Sequence, residues 1–404
     1  MPNLALSEGL AAPIGGTVDL LIVAGEHSGD EHAARMLRDL LSKSPGLKVC
    51  ALGGPRLAAA GAQLLKDLTQ GSVMGFAVLA NFSYYRALIA EIVRWVGIHR
   101  PRAVCFVDSS GLNLRIARGL FEQAYSARAG GPTKALYYIS PQIWASRADR
   151  RFVMAKHLDG LASIFPFEAA VYADTNLPVE FVGHPFVADD YQAPVSFDSR
   201  GPVLLLPGSR RQVVARLFPV LLEAYRQSET ERPAVVLYPS EEILDALRQA
   251  NPPANVSLCS IAEGGARPPG APNTDGRPSG PSLPQSPVSA SAVLTASGTM
   301  SMHCALAGIP GALTYKTDAL TYFLGRLIVK VDYIGIANLL LKAAMYPEFI
   351  QGVAKPAALA AQLRECLGSS ARLAETKAQA EKLRTLLHAP TKGTAADWLL
   401  RQLG

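Results

Sequence analysis

Short apolar runs alternate with helix-like segments along the 404-residue chain, and this alternation restricts the fold more than any other feature of the sequence. The run VDLLIVAGE (18–26) leads into the helical pattern DEHAARMLRDLLSK, and the order then repeats along the chain. Parallel sheets produce this pattern, because each parallel strand needs a crossover helix before the next strand. The sequence therefore predicts an α/β protein with parallel sheets wrapped by helices.

The alternation is interrupted once, between Ala193 and Arg200, where the sequence becomes polar and contains proline. A chain of this length can form two separate cores. We predict two Rossmann-like domains, residues 1–195 and 196–404, that face each other across a cleft, with a helical C-terminal region in the second. Residues 263–287 are rich in Gly, Pro, Ser and Ala and have no apolar periodicity, so we predict a disordered insert there.

Composition excludes several classes of protein. The net charge of +6 is too small to indicate a nucleic-acid-binding protein. It does favour negatively charged partners, such as phosphorylated ligands or an anionic membrane surface. A slightly basic surface with no special partner remains an alternative. Five scattered cysteines without C-x-x-C spacing predict buried thiols in a reducing compartment and no zinc site. The sequence shows neither a secretion signal nor a membrane span, which predicts a cytoplasmic protein.

Four polar turns follow predicted strands and precede predicted helices: GEHSGD (25–30), DSSGLN (108–113), PGSRR (207–211) and ASGT (296–299). In open parallel sheets, ligands bind beyond the carboxyl ends of the strands. The sequence G-x-G-x-x-G follows neither domain's first strand, so a dinucleotide cofactor is not predicted.

The turns of the second half have the chemistry of an anion site. Gly208 and Ser209 allow backbone N–H groups to converge at a helix start, and Arg210 can donate two parallel hydrogen bonds to a phosphate. Ser297, Gly298 and Thr299 repeat the arrangement, so the pair predicts a nucleotide diphosphate site. Ordinary turns with capping hydroxyls and a solvated arginine are the alternative.

The turns of the first half contain carboxylates. Asp30 follows Ser28 in one turn, and Asp108 precedes Asn113 in the other. Either aspartate is a candidate general base that would accept the proton of an attacking hydroxyl. Each is equally a candidate helix cap.

The sequence resembles the lipid-A-disaccharide synthase family. The resemblance rests on ten short motifs in the family's order, which include AGEHSGD, GGPRLAAAG, YYISPQIWASRADR, SIFPFEAAVY, FVGHP, LLLPGSR and PEFIQ. It implies a glycosyltransferase fold of the GT-B type. It also implies an inverting reaction that moves 2,3-diacylglucosamine from UDP to 2,3-diacylglucosamine 1-phosphate, with no metal and no other cofactor.

The resemblance further implies roles for individual residues. Gly208, Ser209 and Arg210 would hold the UDP diphosphate, and Ser297, Gly298 and Thr299 would lie on the nucleotide side of the same pocket. Asn338 would line the donor site, and Tyr138, Trp144 and Arg147 would lie on the acceptor side.

The resemblance also implies contact with a membrane. It indicates a peripheral protein at the inner face of the cytoplasmic membrane, and it is compatible with a homodimer. Residues 78–100 mix aromatic, aliphatic and basic side chains as an interfacial helix does. A helix packed into the core of the first domain is the alternative.

Four family carboxylates are replaced in this chain, by Val78, Gly111, Val213 and His303. His303 would still be able to hydrogen-bond a ribose hydroxyl. The replacements leave two hypotheses. The first is an active synthase with Asp108 or Asp30 as its base, and the second is a catalytically altered or inactive UDP-sugar-binding paralogue.

Overall fold

The computed structural model describes residues 9–69, 78–144, 147–189, 191–261, 287–317 and 332–404, with the side chains of 78–82 excepted. The predicted insert lies outside these ranges except for residue 287. The side chain of Val78, at one of the four replaced acid positions, also lies outside the described part.

The chain divides into two compact units, Met1–Pro185 together with His388–Gly404, and Phe186–Leu387. Each unit is built on its own parallel sheet, as the alternating sequence pattern predicts. The sequence analysis placed a boundary at residue 195 and kept the whole C-terminal region in the second domain. In the structure the last helix instead packs on the first unit.

The first unit contains a seven-stranded parallel sheet in the order β3-β2-β1-β4-β5-β6-β7. Its central strands are buried along their whole length, which explains why they read as continuous apolar runs. The strands are β1 (Leu20–Ala24), β2 (Val49–Gly53), β3 (Gln63–Asp67), β4 (Ala103–Val107), β5 (Lys134–Tyr138), β6 (Gly160–Ser163) and β7 (Val179–Phe181).

Between these strands, the described residues of the first unit form the following helices. They are α1 (His27–Lys43), α2 (Pro55–Ala59), α3 (Val78–His99), α4 (Ser110–Glu122), α5 (Arg150–His157) and α6 (Glu168–Val171).

The second unit contains a six-stranded parallel sheet in the order β11-β10-β9-β13-β14-β15, and β8 pairs with β12 in a separate ribbon. The strands are β8 (Val195–Phe197), β9 (Val203–Leu206), β10 (Ala234–Tyr238), β11 (Val256–Ser260), β12 (Val288–Ala290), β13 (Ala292–Ala296), β14 (Gly311–Tyr315) and β15 (Glu348–Ile350). The helices are α7 (Arg211–Gln227), α8 (Glu241–Arg248), α9 (Thr299–Leu306), α10 (Ile336–Leu341), α11 (Pro356–Gly368) and α12 (Ser370–Leu387).

The described side chains of α3 show how one side of the segment 78–100 packs. Leu88, Ile92 and Val96 are buried in the core of the first unit, and the indole of Trp95 donates a hydrogen bond of 2.9 Å to the Ala11 carbonyl. This side of the helix therefore packs as a core helix. Within the described residues, no helix is both long enough and apolar enough to cross a membrane.

The last helix, α13 (Ala395–Leu403), is held on the first unit by packing and by charge. Trp398 is buried and packs beside Gly160 of β6. Lys134 donates a 2.7 Å hydrogen bond to the Gln402 carbonyl at the helix end, where the helix dipole favours a cation. The apolar side of this amphipathic helix therefore completes the core of the first unit.

Glu168 is a carboxylic acid buried in the first unit, with 1% of its surface exposed. Burial raises its pKa to about 7, although backbone N–H groups of Phe165 and Ile164 and the indole of Trp144 act in the opposite direction. An acid whose folded pKa is raised favours the folded state when protonated. Its stabilising effect is complete below the unfolded value near 4.5 and is lost as the pH rises through about 7.

We predict that Glu168→Gln removes this pH dependence. Between pH 4.5 and 8 the free energy of unfolding should fall further in the wild type than in the variant. The difference between the two proteins should be on the order of 2–3 kcal/mol. Urea denaturation at several pH values measures the difference. The exposed Glu122→Gln is the control and should keep the wild-type slope, whereas equal slopes for all three proteins would show that Glu168 does not titrate in this range.

Candidate active site

The polar turns of the first unit meet where the strand order changes direction. β1 and β4 are neighbours in the sheet, and Ala24 pairs with Val107 at their carboxyl ends. The turns GEHSGD and DSSGLN follow these strands directly, so they lie side by side at the topological switch point. Open α/β sheets bind ligands at this position.

Asp108 and Ser28 are brought together at this edge. The Ser28 Oγ donates a 3.2 Å hydrogen bond to Oδ2 of Asp108, whose side chain is half-buried. Among the described residues this is the one hydrogen bond that the carboxylate accepts, so Oδ1 is available to a substrate proton. The carboxylate is thus positioned but not saturated.

The backbone at Asp108 is held in a conformation that few non-glycine residues adopt. Asp108 and Ser109 have φ values of 50° and 41°, in the left-handed region. Asn113 is fully buried and donates a 2.8 Å hydrogen bond to the Asp108 carbonyl, and the Tyr137 hydroxyl donates to the same oxygen. Asn113 therefore supports the turn, and such supported strain is typical of functional sites.

His32 lies one turn beyond Ser28 on α1, so the two side chains share a helix face. Burial lowers the pKa of His32, while the negative charges of Glu31 and Asp108 oppose that shift. The sequence analysis did not single out His32. The i, i+4 spacing from Ser28 was the signal that would have found it.

Asp30 has a different environment from Asp108. It is buried, and its two carboxylate oxygens accept hydrogen bonds from the backbone N–H groups of Gly54, Arg56 and Leu57 at 2.8, 3.1 and 3.2 Å. These groups belong to the first turn of α2 and the residue before it. Both oxygens are thus engaged by the backbone at the start of α2, which matches the helix-cap alternative.

Gly111, at one of the four replaced acid positions, lies in the first turn of α4. It is exposed, and a Cβ added there would meet no atom within 4 Å. A larger side chain therefore fits at this position beside Asp108.

The polar turns of the second unit occupy the equivalent switch point. β9 and β13 are neighbours, with Leu206 paired to Thr295, and PGSRR and ASGT follow these strands. Gly208 has a φ of 109° and Gly298 a φ of 155°, and residues with a Cβ atom rarely adopt these values. The two glycines are therefore required by the backbone of the turns.

The helices that follow these turns begin without capping side chains. Neither α7 nor α9 has a side-chain cap or an acidic residue in its first turn. Val213 occupies the third position of α7, where an acid would otherwise act on the free N–H groups. Ser209, Arg210 and Thr299 are exposed beside these helix starts. Uncapped helix starts attract anions.

Ser297 and Asn338 are connected through one hydrogen-bonded network. Ser297 donates 3.1 Å to the Ile334 carbonyl, and the Ile334 N–H donates 2.9 Å to Glu348. Asn338 donates to Glu348 at 2.9 Å and exchanges two hydrogen bonds with the backbone of Tyr346. Asn338 is buried and fully engaged, so it organises the segment around α10.

Glu348 is the central acceptor of that network, and the sequence analysis recorded it only as a letter in PEFIQ. Its carboxylate also accepts a 2.9 Å hydrogen bond from the N–H of Gly335, just before α10. The long sequence distance between a capping residue and its helix explains why local patterns did not indicate this role.

His303 is buried in an aromatic cluster. Its Nε2 lies 3.2 Å from the Tyr191 hydroxyl, its ring stacks on Tyr191, and the Phe186 ring centroid is 4.0 Å away. Its polar edge therefore already has a protein partner. Among the residues that the structure describes, no three His, Cys, Asp or Glu side chains are grouped to hold a metal ion.

Arg147, Trp144 and Tyr138 belong to the segment around the end of β5. Tyr138 is buried as the last residue of the strand, Trp144 is half-buried in edge-to-face contact with Phe165 and Phe167, and Arg147 is exposed. The acceptor-side residues of the sequence analysis thus lie at the same sheet edge as Asp108.

Sequence comparisons identify relatives along nearly the whole chain. A family model described as lipid-A-disaccharide synthetase matches residues 20–243 and 283–402. The chain is 34% identical to the lipid-A-disaccharide synthase of Syntrophus aciditrophicus, over 92% of this chain and 94% of that protein. It is 32% identical to the corresponding protein of Geobacter metallireducens, over 91% and 92%.

Solved structures show the same architecture at low sequence identity. The calicheamicin glycosyltransferase CalG4 superposes with a TM-score of 0.57 at 14% identity, covering 96% of this chain and 98% of that one. The kitacinnamycin glycosyltransferase gives 0.57 at 14% identity, covering 96% and 100%. These likenesses confirm the predicted GT-B-type fold, and with the sequence matches they show that the chain belongs to the lipid-A-disaccharide synthase family of glycosyltransferases.

Proposed function

We propose that this chain transfers 2,3-diacylglucosamine from UDP to 2,3-diacylglucosamine 1-phosphate, with inversion at the anomeric carbon. Family membership supports the reaction. The observation in the structure that supports it best is the switch point of the second unit, where two uncapped helix starts and the exposed Arg210 form an anion-binding edge. A sugar nucleotide carries its negative charge on the diphosphate, which such an edge attracts.

In this proposal the diphosphate contacts the N–H groups around Gly208, Ser209 and Arg210, with Ser297, Gly298 and Thr299 on the nucleotide side. The positive charge that stabilises the leaving UDP comes from Arg210 and the helix ends. Asn338 acts indirectly, because its hydrogen bonds hold the segment to which Ser297 donates. His303 is a weaker candidate for a ribose contact, since Tyr191 already engages its ring.

We propose Asp108 as the general base. It is half-buried, Ser28 fixes one oxygen, and the other is free to accept the proton of the acceptor hydroxyl. Asp30 is better suited to holding α2, because both of its carboxylate oxygens already accept backbone N–H groups there. Arg147 is exposed at the same sheet edge as Asp108, so we propose it as a contact to the acceptor.

The inactive-paralogue hypothesis rests on the four replaced carboxylates. The environment of Asp108 favours an active enzyme instead, because a carboxylate able to act as a base lies at the switch point of the first unit. Incubation of purified protein with both substrates, followed by mass spectrometry of the disaccharide 1-phosphate, tests the reaction.

We further propose that the protein works at the inner face of the cytoplasmic membrane as a peripheral protein, since its substrates carry acyl chains.

Arg210 should contribute strongly to UDP binding. A charge-assisted hydrogen bond contributes about 1.5–3 kcal/mol, so we expect Arg210→Ala to weaken UDP affinity about ten- to a hundredfold. Arg211→Ala is the matched control, because this neighbour is equally exposed but is the first residue of the helix rather than the residue before it. Isothermal titration with UDP measures both, and equal affinities for wild type and Arg210→Ala would remove Arg210 from the site.

Asp108→Asn should abolish most of the turnover and spare UDP binding. Loss of a general base lowers kcat by about 10²–10⁴-fold. Asp30→Asn is the comparison: it should lower the free energy of unfolding by about 1–3 kcal/mol, since an amide cannot accept all three N–H groups, while folded molecules stay active. The opposite result, an inactive but stable Asp30→Asn protein beside an active Asp108→Asn protein, would reverse the two assignments.

An acid at position 111 should be accepted without cost. Replacing a helical glycine by alanine stabilises a protein by about 0.5–1 kcal/mol, and an acid in a first helical turn adds about 0.3–1 kcal/mol. We expect the unfolding free energy to rise in the order wild type, Gly111→Ala, Gly111→Asp, with turnover close to wild type. A large gain in turnover for Gly111→Asp alone would instead mean that the wild-type site lacks a base.

A further inference from the structure

Arg147 and Arg150 form a pair of cations at the carboxyl edge of the first sheet, in the connection between β5 and α5. The Arg150 N–H donates a 2.9 Å hydrogen bond to the Arg147 carbonyl, which closes a turn. Within the described residues, neither guanidinium group has a hydrogen-bond or ion-pair partner. Arginine is the residue best suited to planar, two-pronged contacts with phosphate, so an anion can bind where two such groups have no protein partner.

The neighbouring Arg151, in contrast, is paired with a carboxylate. Its Nε and Nη2 contact Oδ1 and Oδ2 of Asp174 at 2.7 and 2.6 Å. Asp149, the nearest acid in sequence, lies 4.0 Å from Arg151, and its side chain is 99% exposed. The local carboxylates are therefore directed to Arg151 and leave the other two arginines uncompensated.

The pair is constrained as well as uncompensated. Arg147 adopts a φ of 58°, a left-handed conformation that is unfavourable for a residue with a long side chain. Partial burial lowers the pKa of Arg150, and the positive charge of Arg147 lowers it further. A bound dianion would relieve this repulsion.

The pair also lies near the proposed base. The charge of Arg150 acts on Tyr137, and the Tyr137 hydroxyl donates to the main-chain oxygen of Asp108. The acceptor carries its reacting hydroxyl and its phosphate on one sugar ring. When that hydroxyl lies at Asp108, the phosphate must therefore lie within one ring's width of it.

We propose that Arg147 and Arg150 bind the phosphomonoester of the acceptor sugar. This inference rests on the proposed function and adds the group by which the acceptor is recognised. A phosphomonoester carries a charge of about −1.5 to −2 and three acceptor oxygens, which suit two planar guanidinium groups. The two arginines then select a phosphorylated acceptor over its dephosphorylated form.

The first experiment measures kcat/KM with two acceptors, 2,3-diacylglucosamine 1-phosphate and 2,3-diacylglucosamine. We expect Arg147→Gln and Arg150→Gln each to lower kcat/KM for the phosphorylated acceptor by about tenfold or more, and to leave the other acceptor almost unaffected. UDP affinity should stay at the wild-type value in both variants, which separates this site from the diphosphate site. Arg38→Gln, at an exposed arginine of α1, is the matched control and should change nothing.

Equal losses on both acceptors, or no loss on either, would overturn the inference while leaving the proposed function intact. Absence of transfer by the wild-type protein to either acceptor would count against the proposed function instead. A binding experiment then decides the inference. Trp144 lies in the same connection as the two arginines and is half-buried, so the fluorescence of Trp144 should report binding. The other two tryptophans, Trp95 and Trp398, are buried.

In that experiment glucosamine 1-phosphate and glucosamine are titrated into the wild type and into Arg150→Gln. We expect the phosphorylated sugar to bind the wild type about tenfold more tightly than the variant, and glucosamine to bind both equally weakly. Equal binding of glucosamine 1-phosphate to both proteins, or no binding to the wild type, would refute the site. Inorganic phosphate added to the same level shows whether the sugar contributes to binding.

Discussion

Parallel strand pairing is the constraint on which the rest of this structure depends. When all strands of a sheet run in one direction, every turn that follows a strand lies at the same edge. In both units the order of the first six strands is the same, with the first and fourth strands at the centre. The chain therefore delivers two polar turns to one point in each unit, although dozens of residues separate them in sequence.

The two switch points have opposite chemical characters. That of the first unit presents the carboxylate of Asp108 on a strained turn, whereas that of the second presents N–H groups and the exposed Arg210. Proton acceptance and diphosphate binding need these opposite characters. The replacement of an acid by Val213 fits this separation, because it removes negative charge from the edge proposed to bind the diphosphate.

The fold class and the four polar turns could be predicted from the sequence, since both depend on local patterns of apolar and small residues. The distinction between Asp30 and Asp108 could not, because it depends on N–H groups from α2, about 25 residues further along the chain. The capping role of Glu348 and the aromatic surroundings of His303 could not be predicted for the same reason, because their partners come from other elements. The sequence of residues 394–404 predicts an ordinary amphipathic helix, and periodicity alone does not indicate which core such a helix completes.

The return of α13 to the first unit has a consequence for biosynthesis. In chain order the second unit is an insertion within the first, since residues 186–387 separate Pro185 from the segment that completes the first core. Domains generally fold as units, and N-terminal domains commonly fold first as the chain emerges from the ribosome. Here the last piece of the first core, with the buried Trp398, is synthesised after the whole second unit. The first unit is thus completed after the second, and until α13 has been made, the surface of β6 that Trp398 covers remains exposed.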